Sequence, residues 1–318
     1  MTTERTERTW AIVLAAGEGR RLSSLTAALY GRELPKQFAV LDGARSLLQA
    51  TLDRIAPLVP PERTVVVVGV EYGAIARAQL RNYPGVDLVL QPKNLETGPG
   101  ILLPLARVLA RDPGARVAIF PSDHHVTNPG PFLDATRTAL AACDAAPELV
   151  ALLGVVPDRP ETEYGWILPG TAVADLGETS LRDVLRFVEK PESDVAQGLL
   201  ARGGLWNTFV SVARLSALWG LATHHLPEHT AHFERYASAI RTDGEAQVLL
   251  SIYEQMTPAN FSRSVLERAD SLSVLAVAGC GWSDWGTPER VYQSLAGLGR
   301  LDALRERIAT REPVAAAM

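Results

Sequence analysis

Short apolar runs alternate with longer stretches of helical periodicity through the first half of the chain. The runs at Ala11–Ala15, Val65–Val70, Val86–Leu90, Val117–Phe120 and Val150–Val155 predict strands, and the segments Ser46–Leu58, Tyr72–Asn82, Gly100–Ala110 and Gly130–Ala145 predict the helices between them. Ile12, Val13 and Leu14 offer no polar residue to solvent, as expected of a strand covered on both faces of a parallel sheet. Strand and helix in alternation make a βαβ series, which requires a mostly parallel sheet, right-handed crossovers and helices on both faces. Ligands of such sheets lie beyond the carboxyl ends of the strands. The polar, glycine-containing segments Gly17–Arg21 and Gln91–Gly100 and the polar Ser122–His125 each follow a predicted strand.

Beyond Asp158 the pattern changes. Shorter strands are predicted at Gly165–Leu168, Val184–Glu189 and Thr208–Val212, with a helix at Glu192–Ala201. Surface helices are expected at Leu215–Ala222, His229–Ile240 and Glu245–Met256, interrupted by Pro227 and Gly244. A strand at Leu272–Ala278 and a helix from Pro288 to about Leu298 follow, and Arg311–Met318 reads as a loose tail. Neither a low-complexity linker nor a repeat at solenoid period interrupts the chain.

Composition narrows the function more than the fold. A chain of 318 residues with 47% hydrophobic content can bury a sizeable core. Lys and Arg number 31 against 36 Asp and Glu, so the net charge of −5 provides no general basic footprint for nucleic acid and any anion site must be local. Cys143 and Cys280 are the only cysteines, which excludes a disulfide framework and suits a reducing cytoplasm. The start, MTTERTERTW, is too polar for a signal peptide or anchor, and no run nears the ~20 apolar residues of a membrane span.

Four segments could carry chemistry. In Gly17-Glu18-Gly19-Arg20-Arg21 the glycines permit a tight turn that presents N–H groups, while Arg20, Arg21 and the later Lys36 supply charge-assisted donors to a phosphate. A turn that merely redirects the chain is the plainer alternative, and without the third glycine of G-x-G-x-x-G a dehydrogenase fingerprint fails. Asp123, in Pro121-Ser122-Asp123-His124-His125, stands where a carboxylate could hold Mg²⁺ against a polyphosphate; a helix cap is the alternative, better placed at Asn128. Asp284, between Trp282 and Trp285, could complete a two-carboxylate metal site or only stabilise a turn beside two core tryptophans. Glu189-Lys190 could accept sugar hydroxyls and neutralise a phosphate, or be a solvated pair. His224, His225, His229 and His232 crowd together, but Pro227 interrupts the helix that a zinc site would need, so they read as surface histidines.

Seven pieces, LAAGEGRRL with LPKQF, QPKNLETGPG, FPSDHH, EYGWI, FVEKP, LWNTFV and WSDWGT, run in order from Ala11 to about Thr287. Together they resemble the sugar-phosphate nucleotidyltransferases, most closely the mannose-1-phosphate guanylyltransferase branch. The resemblance implies an α/β, Rossmann-like mixed but mostly parallel sheet with helices on both faces. It also implies a catalytic domain over 8–298, with a nucleotide half at about 8–157, a sugar-phosphate half at about 158–298 and a helical tail at 299–318. By the same resemblance Ala15, Ala16, Gly17, Gly19, Arg21, Lys36, Asn94, Thr97, Gly98 and Asp123 would bind the nucleotide, and Gly165, Glu189, Lys190 and Asn207 the sugar phosphate. Arg21, Lys36 and Asp123 would act in catalysis, and Asp123 and Asp284 would hold Mg²⁺. The implied reaction joins an NTP, expected to be GTP, to a sugar 1-phosphate, expected to be mannose 1-phosphate, and releases pyrophosphate. Another NTP and hexose 1-phosphate, or a catalytically silent regulatory homologue, are the alternatives; retention of Arg21, Lys36, Asp123 and Asp284 favours an enzyme. A homodimer is one assembly compatible with the sequence. The chain departs from the family at Arg20 (usually Thr or Ser), at Ser24 (usually Pro) and in the extra residues Ala27–Glu33. Gly98 also replaces a usual Ala, which is expected to alter the surface beside the base. Pro288–Arg311 reads helical, so no C-terminal β-helix is expected.

Overall fold

The computed structural model describes residues 8–176 and 179–310; the polar start and the tail at Arg311–Met318 lie outside the described residues. The strands are β1 (Thr9–Leu14), β2 (Thr64–Gly69), β3 (Asp87–Gln91), β4 (Arg116–Pro121), β5 (His125–Val126), β6 (Val150–Val155), β7 (Gly165–Leu176), β8 (Thr179–Glu189), β9 (Leu205–Arg214), β10 (Ser273–Val277) and β11 (Trp282–Ser283). Nine of them form one sheet in the order β3-β2-β1-β4-β9-β6-β10-β8-β7, with β7 also reaching β9. The β3-β2-β1-β4 block and the β6–β10 pair are parallel. β9 enters antiparallel between β4 and β6, and β8 antiparallel between β10 and β7. A single sheet therefore runs through both halves of the chain.

Alternation along β1 explains the unbroken apolar run. Ala11 and Val13 join a core with Val66, Phe120, Leu48 and Phe132 on one face, whereas Trp10 and Ile12 join Val65, Val67, Leu102 and Phe233 on the other. Val65 to Val68 are fully buried, and each such side chain contributes about 1.5–3 kcal/mol relative to exposure. The helices that cover these faces are α1 (Ser23–Tyr30), α2 (Leu47–Ile55), α3 (Gly73–Gln79), α4 (Thr97–Arg111), α5 (Pro129–Ala145), α6 (Ser193–Ala201), α7 (Leu215–His225), α8 (Pro227–Ala239), α9 (Glu245–Gln255), the short α10 (Phe261–Ser264), α11 (Pro288–Gly297) and α12 (Leu301–Thr310). Among the described residues, those after Thr287 are helical or in turns, and no helix is long and apolar enough to cross a membrane.

Part of the extra segment Ala27–Glu33 is the second half of α1, which buries Leu25, Thr26 and Leu29 and ends at Gly31 with φ 68°. The Tyr30 hydroxyl donates to the Val40 carbonyl at 3.2 Å and accepts the Val40 N–H at 2.7 Å, so the segment is bound into the core side of the PKQF turn. The small β5–β11 ribbon, pairing Ser283 with His125 and Trp282 with Val126, joins segments that are far apart in sequence. It sets Asp284 beside Asp123.

Candidate active site

The glycine turn is built by the residues that follow it. Ala15 N–H continues the β1–β2 pairing to the Val67 carbonyl at 2.9 Å, after which the chain leaves the sheet. Gly19 has φ 60°, and a Cβ there would stand 2.7 Å from the Lys36 backbone nitrogen, so both conformation and space require glycine. The buried Gln37 side chain donates to the Ala15 carbonyl at 2.8 Å and to the Gly17 carbonyl at 2.7 Å. The PKQF element thus clamps the turn as well as supplying Lys36. Sequence reasoning assigns no role to Gln37, although the motif containing it is legible.

A charged centre lies beside this turn. Ser122 donates to the Leu14 carbonyl through its N–H at 3.0 Å and its hydroxyl at 2.7 Å, tying the end of β4 to the end of β1 and fixing Asp123. The Lys36 ammonium, only 5% exposed, donates to Asp123 Oδ2 at 3.0 Å and to the Asp284 backbone carbonyl. Asp284 Oδ1 accepts from the Tyr164 hydroxyl at 2.7 Å, Gly286 N–H at 2.9 Å and Arg290 at 3.1 Å, while Oδ2 faces Arg21 at 3.6 Å. Arg290 also pairs with Glu161 and lies 4.8 Å over the Tyr164 ring. Asn128, not Asp123, caps α5.

Electrostatics keep both carboxylates ionised. Burial alone would raise each carboxyl, but Lys36 and His124 outweigh it at Asp123, and Lys36, Tyr164, His124 and Arg290 outweigh it at Asp284. Both are held below the ordinary value. Burial also pushes His124 down to about 4 despite its acidic neighbours. Its Nδ1 accepts from the Trp282 indole at 3.2 Å, which assigns the neutral ring's hydrogen to Nε2, 3.8 Å from Asp123.

These groups open onto a cleft of about 270 Å³ that is also lined by Gly165, Glu189 and Asn207. A Cβ on Gly165 would stand 2.9 Å from Glu189 Oε2 and 3.3 Å from Asn207 Cβ, so the glycine lets both side chains reach the cleft. Burial pushes the Glu189 carboxyl up. Asn207 Oδ1 accepts the N–H of Phe209, a cleft residue with φ 62°, a left-handed conformation uncommon for an aromatic side chain. Lys190 does not share this lining: it is exposed, with φ 50°, and its N–H donates to the Tyr164 carbonyl at 3.2 Å.

A second cavity of about 220 Å³ continues from the cleft through the shared Leu14, Gly17 and Thr97, and takes in Ala16, Gln91 and Asn94. Thr97 opens α4, which brings the positive end of the helix dipole to both cavities. The expectation that Gly98 borders the base meets a different geometry. Its N–H is spent on the Ala259 carbonyl at 2.7 Å, it is buried, and it lines neither cavity. Ala15 likewise contributes a carbonyl to the Gln37 clamp rather than a surface. Arg20 is exposed and pairs with Glu18 at 2.5 Å. Of the four clustered histidines, His229 is buried and bonded to the Thr257 carbonyl at 2.9 Å, which corrects its reading as a surface residue; α7 ends at His225 and Pro227 opens α8, so the helix is interrupted there as expected.

The pattern of the nucleotidyl transferase family matches residues 10–298. Mannose-1-phosphate guanylyltransferase ManC of Salmonella typhimurium is 30% identical over 301 residues, which is 91% of this chain and 60% of that protein. Mannose-1-phosphate guanylyltransferase of Escherichia coli K12 is 30% identical over 294 residues, 89% of this chain and 59% of that protein. The chain thus spans about 60% of the length of these curated relatives. A solved structure described as mannose-1-phosphate geranyltransferase from Thermus thermophilus superimposes with a TM-score of 0.78 at 31% identity, covering 91% of this chain and 79% of that one.

Proposed function

The chain belongs to the nucleotidyl transferase family, and from that premise we propose that it transfers a nucleoside monophosphate from an NTP to a sugar 1-phosphate, with GTP and mannose 1-phosphate as the expected pair. The observation that carries this reading is the buried Lys36, bonded to Asp123 and to the Asp284 backbone, with both acids lining a cleft that runs into a second cavity through Leu14, Gly17 and Thr97. One cavity adjoins the glycine turn and the start of α4, and the other presents hydroxyl-binding groups, as a nucleotide and a sugar require.

Asp123 and Asp284 fit Mg²⁺. Both are ionised hard-oxygen donors on the cleft, and Asp284 keeps Oδ2 free of the three donors that fix Oδ1. When bound there, the ion would orient the α-phosphate and offset the charge of the departing pyrophosphate. The chain's own groups do the positioning. Arg21 and Lys36 would hold the triphosphate, Gly17 would offer backbone N–H, and Glu189 and Asn207 would fix the sugar so that its phosphate oxygen faces the α-phosphorus. That oxygen forms the new P–O bond as the bond to the β-phosphate oxygen breaks and pyrophosphate leaves, so no covalent enzyme intermediate and no general base is required. Lys36 is preorganised to offset the developing charge because it is already desolvated.

Pyrophosphate release from purified protein with GTP, UTP, CTP or dTTP against mannose 1-phosphate and glucose 1-phosphate tests the proposal. Release favouring GTP with mannose 1-phosphate is expected. Release with a different pair would retain the reaction and replace the substrates, whereas binding without release from any pair would favour a silent homologue.

A further inference from the structure

Across the Ser122–His125 segment from the cleft lies a larger polar cavity of about 440 Å³, within the ~300–1,000 Å³ range of small-molecule sites. Its wall toward the cleft is formed by His125 stacked on Trp285 (4.1 Å, 7°), with His124 lining both spaces. Three guanidinium groups, Arg45, Arg54 and Arg300, line it against two carboxylates, Asp42 and Asp53.

The carboxylates are already engaged. Asp42 accepts from Arg300 at 2.6 Å, and Asp53 from the Tyr83 hydroxyl at 2.7 Å and from Arg45 at 3.1 Å. Arg45 and Arg300 remain half exposed, each using only one nitrogen in its ion pair. Arg54 has no carboxylate partner among the described residues: it donates to Thr51 Oγ1 at 2.9 Å and to the His124 carbonyl at 3.5 Å, lies 5.6 Å over the Phe132 ring, and its Nε is buried without an acceptor. Pro129 lies in the same lining, but the first turn of α5 adds no donor, since Pro129 and Pro131 have no N–H and the Gly130 N–H is capped by Asn128.

One guanidinium without a carboxylate and spare donors on two more are the complement of an anion, and arginine forks match phosphate in particular. We propose that this cavity is a second ligand site, separate from the cleft, for a phosphate-bearing small molecule. Nothing in the expected reaction uses it.

Calorimetric titration of the full chain with inorganic phosphate tests the site, with Arg21→Ala removing a cleft contact and Arg300→Ala removing a cavity contact. Phosphate binding that survives Arg21→Ala and weakens about tenfold or more in Arg300→Ala is expected, in line with loss of a charge-assisted hydrogen bond. Arg54→Met should have a like effect, and the half-exposed Arg300 keeps the test valid if that variant fails to fold. Phosphate binding unchanged in Arg300→Ala, lost in Arg21→Ala alone, or absent from the wild type would overturn the proposal. Because the readout is binding, it stands or falls independently of the transfer reaction.

Discussion

Alanine at Gly98 would add a methyl group where the backbone leaves no room. Its Cβ would stand 2.7 Å from the Ala259 carbonyl oxygen and 3.1 Å from the Ala259 Cβ, against an optimal carbon contact of about 3.5–4.0 Å. That carbonyl is not free to swing away. It accepts the Gly98 N–H at 2.7 Å, and Ala259 returns its own N–H to the Leu95 carbonyl at 3.2 Å, so the two segments are clamped by paired hydrogen bonds. Relief requires either loss of the shorter bond, about 0.5–1.5 kcal/mol, or retained strain of about 1–3 kcal/mol. Gly98→Ala is therefore expected to lower the unfolding free energy by about 2 kcal/mol, seen in urea titration as a lower midpoint with unchanged slope. The NTP KM should rise through displacement of Thr97, which lines both cavities. Preference among NTPs should not change, since Gly98 faces neither. Stability within about 0.5 kcal/mol of wild type, or altered base preference in an equally stable protein, would refute the reasoning.

Tyr164→Phe removes one of three donors fixing Asp284 Oδ1 and is expected to weaken Mg²⁺ affinity about 10- to 100-fold, measured by titrating activity and Mn²⁺ binding in parallel; equal affinities would show that the hydroxyl does not orient the carboxylate. Gln37→Leu leaves the Ala15 and Gly17 carbonyls without their clamp and should cost about 1–3 kcal/mol in denaturant titration, with no loss contradicting the clamp. His124 titrates at about 4 in the fold against 6.5 ordinarily, so the unfolded chain binds its proton first as pH falls. Stability should drop across pH 6.5 to 4 by about 3 kcal/mol from this group, and His124→Gln should flatten that slope. The depressed carboxyls of Asp123 and Asp284 add losses only at still lower pH. An unaltered slope in the variant would remove His124 as the cause.

The parts legible in the sequence are those with local causes. β1, β2, β4 and β6 are buried on both faces, so their runs stand out within a residue or two of the observed strands. The β7–β8 ribbon continues to Leu176 and resumes at Thr179, past the predicted limits at Leu168 and Val184, because Pro169 and Arg182 are paired in the ladder and the Arg182 side chain holds the Gly170 carbonyl, with no apolar run to mark them. Helix α1 is only eight residues long, too short to show a helical period, so in the sequence its second half shows only as inserted residues. Asp123 and Asp284 can be named from their motifs, but their approach depends on the β5–β11 pairing across about half the chain. Tyr164 lies in a recognised piece without an assigned task, and Arg290, bonded to Asp284 from α11, has no local signal. The outward placement of Lys190 and the Ala259 contact of Gly98 are likewise tertiary facts.

Single-turnover pyrophosphate release by Asp123→Ala, with saturating Mg²⁺ and its fold verified by circular dichroism, tests the charged centre most directly. A loss of about 10²-fold or more is predicted, equivalent to roughly 3 kcal/mol of transition-state stabilisation. A correctly folded variant turning over at near the wild-type rate would contradict the role assigned to this centre.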